Sequence, residues 1–289
     1  METSTFILEK DFASQGFTHI IGTDEVGRGP LCGPVVACAA MYRGSEFPEL
    51  SSEEHKKWDL IRDSKKLSEK QREAVFDFIN EHFYVGIGLC DHETIDRINI
   101  LEASFLAMKK AIQELKRNME HGTWSMEQDS ENKAKAAESK EQDTRDKNQT
   151  INNNQNSNIN EMLESESPRI SEYRNTRDDS KDMNNVPCSM FHAPRYIVLV
   201  DGNKIIPNLS MEQYAVIGGD KLVKSISAAS IVAKVTRDRM MKEFAILYPQ
   251  YGMEKHMGYG TKVHMEALVA HGPCPIHRKS FKPVRRLSK

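Results

Sequence analysis

Four carboxylates stand directly behind short apolar runs. Ile20 to Thr23 lead into Asp24-Glu25, "IVLV" leads into Asp201, and "AVIGG" leads into Asp220. A lone acid after a strand is usually a turn former or the cap of the next helix. Three such junctions in one sheet mean something else. Neighbouring strands lie ~4.8 Å apart, so acids at their ends repel one another. Clustered carboxylates are costly to keep ionised without a cation. Oxygen donors without His or Cys at zinc spacing favour a hard ion, Mg²⁺ or Mn²⁺. Two such ions roughly 3.5–4 Å apart suit phosphoryl transfer, where they activate a water and stabilise the leaving oxygen. Gly27-Arg28-Gly29 follows the first acids at once. Its glycines let the backbone approach a ligand closely, and Arg28 can meet a phosphate.

The elements that must hold these residues alternate along the chain. "HIIGTD" and "GPVVACAAMY" read as two strands joined by the Gly-Arg-Gly turn, and "FYVGIGLC" reads as a third. "SEKQREAVFDFINEH" is helical with Ser68 as its N-cap. "HETIDRINILEASFLAMKKAIQELK" has the apolar spacing of one long amphipathic helix. "YIVLVD" and "YAVIG" are short strands, and "SISAASIVAKVTRDRMMKEFAILYP" is another helix. This order predicts an α/β domain with a mixed sheet covered by helices.

Between them lies a stretch of different character. From about 117 to 191 the chain is polar, rich in Asn, Gln and Ser, and too poor in apolar residues to offset chain entropy. It reads as a disordered insertion in one discontinuous domain, 1–116 with 192–289. Loop closure costs rise slowly with length, so a surface loop can carry it. Asn118 to Met190 holds 15 acids and 9 bases, which leaves the remainder of this 289-residue chain at net +4. Such a balance permits a polyanionic partner. Five scattered cysteines without a C-x-x-C pair predict free thiols in a reducing compartment. With no apolar run of membrane length and no signal-like N-terminus, a cytoplasmic protein without membrane attachment is expected.

Six stretches together resemble the bacterial ribonuclease HII family, the type 2 ribonucleases H. In order they are "DEVGRGPLCGPVVACA", "DSKKLSEKQRE", "IDRINILEASFLAM", "VDGNKI", "GGDKLVKSISAASIVAKVTRDR" and "HMGYGTKVHMEAL…HGPCPIHRKSF". The resemblance implies a ribonuclease H-like fold: a central mixed sheet flanked by helices, with a C-terminal helical region. It implies an endonuclease, expected as a monomer, that cuts the RNA strand of RNA–DNA hybrids. It further implies incision 5′ of ribonucleotides embedded in duplex DNA, leaving 3′-hydroxyl and 5′-phosphate ends. The family's catalytic, metal-binding acids match Asp24, Glu25, Asp201 and Asp220, with Mn²⁺ or Mg²⁺ as cofactor and two ions during catalysis. Gly27, Arg28 and Gly29 match its ribose-contacting tripeptide. Tyr259 matches the tyrosine that stacks beside the DNA nucleotide following the ribonucleotide. The 2′-hydroxyl is what distinguishes RNA from DNA at such a site.

Two features depart from the family pattern: Gly218-Gly219-Asp220 stands where Lys-Gly-Asp is usual, with Lys221 or Lys224 expected to supply the missing charge, and the following "KLVK" is bulkier than the family's small run. Lys65 and Lys66 either bind substrate phosphates or face solvent from a loop. Lys234 and Arg237, three apart on one helix face, are expected to act together on phosphate. Asp238 is expected to pair with Arg237, Arg239 or Lys242. His256, His264 and His277 lack the spacing of a zinc helix and read as structural or phosphate-adjacent. Ser225, Ser227 and Ser230 read as helix caps.

Overall fold

Apolar runs at the predicted places form five strands: β1 (His19–Val26), β2 (Val35–Tyr42), β3 (Phe83–Cys90), β4 (Tyr196–Asp201) and β5 (Glu212–Val216). The computed structural model describes residues 4–48, 55–120 and 194–287, which lie in one compact unit. The strands make a single sheet in the order β3-β2-β1-β4-β5. β1 runs antiparallel to β2 and parallel to β4, and β4 runs parallel to β5. Three adjacent strands therefore deliver their C-terminal ends to the same edge of the sheet. The register Thr23↔Val200 and Asp201↔Val216 sets the acids of β1 and β4 side by side there.

Between the strands come α1 (Ile7–Ser14), α2 (His55–Leu60), a 3₁₀ turn (Ser64–Lys66), α3 (Glu69–His82), α4 (His92–Ile98) and α5 (Ile100–Glu120). After β5 come α6 (Gly219–Leu222), α7 (Lys224–Leu247), α8 (Met253–His256), α9 (Lys262–His271) and α10 (Lys282–Arg285). Strand side chains alternate between faces, and β2 uses both. Val35, Ala37 and Ala39 pack on α5 through Ala107, Met108 and Ala111. Val36, Cys38 and Ala40 meet Ala228, Ala229 and Val232 of α7, with Val75 and Ile79 of α3. A further apolar cluster, including Leu31, Met241, Tyr251, Leu268 and Ile276, seats the C-terminal helices against α7 and the loop after β1.

Ser68 caps α3 as expected, in a capping box completed by Gln71. The long helix expected over 92–116 is instead two. Asn99 takes a left-handed conformation (φ 70°) between α4 and α5, and its Oδ1 accepts the Leu101 and Glu102 amides to start α5. α5 also runs to Glu120, past the boundary predicted at 116, and Asn118 Nδ2 bonds Val85 O at 2.9 Å. The rest of the predicted insertion, 121–191, lies outside the described residues, as does Cys188. The four other cysteines are free and buried. Among the described residues, no helix is long and apolar enough to cross a membrane.

Candidate active site

The parallel strand ends bring the predicted acids together. Asp24 and Glu25 lie in β1, Asp201 ends β4, and Asp220 stands in α6 rather than on a strand. Asp24 and Asp220 are buried. The Glu25 amide donates to Asp24 Oδ1 at 2.7 Å, and the Asp220 amide to Asp201 Oδ1 at 3.3 Å. Burial pushes the Asp24 carboxyl well above the usual carboxylate range, and the Glu25 and Asp201 charges push it further. Glu25 is raised by burial, against the pull of Arg28, whose Nη1 lies 3.0 Å from Glu25 Oε1. Asp201 is raised by burial and by the Asp220 charge. These acids oppose one another's ionisation, as expected of a cluster completed by positive charge. The donor set is all oxygen, which fits a hard divalent cation.

Lys65 carries the positive charge that the structure itself provides. Its Nζ lies 3.5 Å from Asp220 Oδ2. Burial lowers the Lys65 pKa, but the Asp220 and Asp24 charges outweigh that and leave it raised. Asp63 Oδ1 accepts the Lys65 amide at 3.0 Å and so fixes the turn from which it reaches. Lys66 is exposed on the same turn. The lysines expected to replace the missing charge do not do so. Lys224 is buried and donates to Trp58 O and Ile61 O at 3.0 and 3.1 Å, while Lys221 is exposed. Gly218, where the lysine is usual, has φ +70° with open space around it, and Gly219 packs against Ile226, where a Cβ would meet Cδ1 at 2.6 Å.

Beside the acids, the tripeptide and Tyr259 form one surface. Gly27 has φ +95°, and a Cβ there would fall 2.3 Å from Arg237 Nε. A Cβ on Gly29 would meet Tyr259 Cε1 at 3.3 Å, so the ring lies against bare backbone. Arg28 is about half exposed and Tyr259 is 43% exposed, leaving both open to a ligand.

Several expectations for the surrounding residues are corrected. Arg237 is fully buried and donates to Pro34 O, Met257 O and Cys32 O at 3.0, 3.0 and 3.2 Å. It therefore cannot act with Lys234 on phosphate. Asp238 pairs with Lys234 at 2.6 Å and Arg72 at 3.5 Å, because the i, i+4 step and α3 place those two within reach. The serines do not cap α7, whose N-cap residue is Val223. Ser225 donates to Glu9 Oε1 from both its amide and its hydroxyl. Ser227 bonds Asp220 O at 2.9 Å. The Ser230 hydroxyl lies 2.9 Å from the Ser64 hydroxyl, close enough to the Asp24 carboxyl to draw its pKa down against burial.

Among the described residues, one set of possible ligands lies within 4.8 Å: Cys32, His264 and His277. Protein bonds already engage both imidazoles. The Cys274 amide reaches His277 Nδ1 at 3.0 Å, so His277 carries its proton on Nε2 and donates to His264 Nε2 at 3.0 Å. His264 then donates from Nδ1 to Tyr259 O at 3.0 Å. Arg237 and Arg278 lie close enough to Cys32 to act on its thiol, which disfavours a further cation. These rings hold the tyrosine loop in place.

Comparison with known proteins follows the same lines. The family model described as Ribonuclease HII matches residues 21–164 and 192–284. The chain belongs to the ribonuclease HII family. It is accordingly a nuclease, a hydrolase. Ribonuclease HII of Endomicrobium trichonymphae is 35% identical over 286 residues, covering 98% of this chain and 95% of that protein. Ribonuclease HII of Acholeplasma laidlawii is 34% identical over 292 residues and covers 100% of both. Among solved structures, ribonuclease H2 from Pyrococcus horikoshii OT3 is similar with a TM-score of 0.49 and 20% identity, covering 93% of this chain and 97% of that one. The sites missed in the sequence, Ser230 and the buried arginines, sit inside these matched segments, but no spacing signals their partners.

Proposed function

We propose that this protein hydrolyses the RNA strand of RNA–DNA hybrids and incises duplex DNA 5′ of an embedded ribonucleotide, leaving 3′-hydroxyl and 5′-phosphate ends. The observation that carries this reading is the meeting of mutually repelling acids with a bare-backbone tripeptide backed by an exposed tyrosine. Asp24, Glu25, Asp201 and Asp220 would hold the divalent cations, Mn²⁺ or Mg²⁺, which when bound as a pair would polarise the attacking water and the leaving oxygen.

The chain's own groups do the rest. The Glu25 amide orients the Asp24 carboxylate, and the Asp220 amide orients Asp201. Gly27 leaves room for the buried Arg237 beneath the turn and Gly29 for the Tyr259 ring, so the tripeptide backbone is held where it reaches the sugar. A 2′-hydroxyl both donates and accepts there, whereas deoxyribose does neither. Tyr259 offers a stacking face for the next nucleotide. Arg28 and Lys65 meet the flanking phosphates. The catalytic domain is discontinuous, with its first part running to Glu120 at the end of α5 and its second part 192–289, and 121–191 is an insertion without a catalytic part.

The test is direct. The purified full chain is incubated with a duplex containing one ribonucleotide, in Mg²⁺, in Mn²⁺ or in EDTA. Cutting with either metal and none in EDTA is expected, and no cutting with either metal would overturn the reading.

A further inference from the structure

Two arginines lie under the sugar-reading surface, and neither has a carboxylate within ion-pair distance among the described residues. Both are fully buried. Arg278 donates through Nη2 to Gly27 O at 2.7 Å, through Nη1 to Arg28 O at 3.1 Å, and through Nε and Nη2 to Gly33 O at 3.0 and 2.8 Å. Arg237 donates to Pro34 O and Cys32 O on the same loop and to Met257 O beside Tyr259. Every hydrogen bond from these guanidiniums thus ends on a backbone carbonyl. Burying an arginine this way is costly unless each N–H is matched, so the fork geometry fixes where those carbonyls stand.

The carbonyls belong to segments that would otherwise be independent loops. Leu31 N donates to Gly258 O at 2.8 Å, Arg278 N to Leu31 O at 2.9 Å, and Gly33 N to Ile276 O at 3.0 Å. Met257 holds a left-handed conformation (φ 49°), strained for a side-chain residue, and its carbonyl is the one Arg237 grips. Asp96 locks the turn after Arg278 by accepting the Lys279 and Ser280 amides at 2.8 and 2.9 Å. The two loops meet directly through the Leu31–Gly258 bond, while Arg278 grips the tripeptide side and Arg237 spans from Cys32 and Pro34 to Met257; no direct hydrogen bond joins Gly29 and Tyr259.

We infer that Arg278 and Arg237 are positioning residues which hold Gly27-Arg28-Gly29 and Tyr259 as one preformed clamp, and so set the preference for an isolated ribonucleotide over a continuous hybrid. The inference rests on the proposed incision at single ribonucleotides. A lone ribonucleotide offers one 2′-hydroxyl, so it can be cut only where the reading backbone and the stacking ring are already in register. A continuous hybrid offers a hydroxyl at every step and tolerates a looser clamp. Lysine keeps the charge but loses the planar fork and cannot hold four such bonds at once.

The experiment compares kcat and KM of the wild-type full chain, Arg278→Lys, Tyr259→Ala and the double variant on two duplexes, one with a single ribonucleotide and one a continuous hybrid. Arg278→Lys is expected to lose about 10- to 100-fold in kcat on the single-ribonucleotide duplex, and clearly less on the hybrid. The double variant is expected to lose little beyond the larger single loss, because both changes disable one clamp. Equal losses on the two duplexes, or losses that multiply in the double variant, would overturn the inference. If Arg278→Lys does not fold, Arg237→Lys enters the same cycle from the Met257 side and is judged by the same two outcomes. Failure of the wild type to cut the single-ribonucleotide duplex would instead remove the incision reading, and this inference with it.

Discussion

The acid cluster and the clamp beside it are built on opposite terms. Asp24, Glu25 and Asp201 are placed where burial and mutual charge both oppose their ionisation. Their positive partners inside the protein are Lys65 and Arg28, both at exposed ends of the cluster. The clamp a short distance away is closed: its buried cations are matched by carbonyls, and its imidazoles form a chain from Cys274 to Tyr259. One region withholds stability until a cation arrives; the other is complete before any ligand comes. The difference teaches where each property of a nuclease resides. In the proposed site, reactivity is assigned to groups the fold keeps unsatisfied and recognition to groups it keeps rigid.

The largest effect should come from the unsatisfied side. Asp24→Asn is expected to reduce cutting on the order of 10³-fold or more, about 4 kcal/mol of transition-state stabilisation, while duplex binding persists. Its unfolding midpoint in EDTA should be unchanged or higher, because the substitution removes repulsion. A clear fall in that midpoint would break the comparison by making Asp24 a structural residue.

The closed side should show itself in acid. Burial, with the neighbouring His264 charge, pushes the His277 pKa down to about 4, below the ordinary value of ~6.5 for histidine. Between those values the unfolded chain binds a proton that the folded chain refuses, so stability falls as pH falls across this window. The His277 contribution is on the order of 2–3 kcal/mol; because the raised carboxyls of Asp24, Glu25 and Asp201 act in the opposite sense, it is read as the difference in pH dependence between the wild type and His277→Asn, from urea unfolding midpoints at pH 7 and pH 4.5. His277→Asn should flatten that dependence, whatever its stability at pH 7. An equally steep fall in the variant would assign the effect to other groups.

Recognition gives the next effect. Tyr259→Ala is expected to cost about 1–3 kcal/mol on a single-ribonucleotide duplex, the worth of one stacked base, and less on a continuous hybrid. Equal losses would detach Tyr259 from reading the junction. The smallest effect belongs to Lys65, whose side chain is 80% exposed. Lys65→Ala should change the rate by at most about fivefold, in keeping with roughly 1 kcal/mol for an exposed pair. The loss should shrink as salt is raised; a salt-independent loss would place Lys65 in the chemistry itself.

Much of this was legible in the residues because the strands announce themselves. All five lie on the stretches expected as strands, although β5 runs over Glu212–Val216 rather than "YAVIG", and the acids behind them needed only a parallel order of β1, β4 and β5 to converge. The 92–116 segment misled because its apolar spacing continues smoothly through Asn99, whose left-handed turn leaves no mark on periodicity. Charge was the least legible property. Arg237 looked like half of a helix-surface pair with Lys234, yet it is the residue buried against Gly27. Lys224 looked like a spare site cation, yet burial draws its ammonium down to about 8 and into the carbonyls of Trp58 and Ile61. Whether an arginine or lysine is buried depends on carbonyls brought from distant segments, and spacing along the chain does not carry that information.

The union of the two regions is tested most directly by the position of the cut. A duplex with one ribonucleotide, labelled at both ends of the substituted strand, is digested in Mn²⁺ beside the same duplex carrying deoxyribose at that position. Acids and clamp acting together should give a single break 5′ of the ribonucleotide, with 3′-hydroxyl and 5′-phosphate ends, and no break in the all-deoxy control. A break 3′ of the ribonucleotide, a cyclic phosphate end, or equal cutting of the control would contradict the placement of chemistry and recognition in one site.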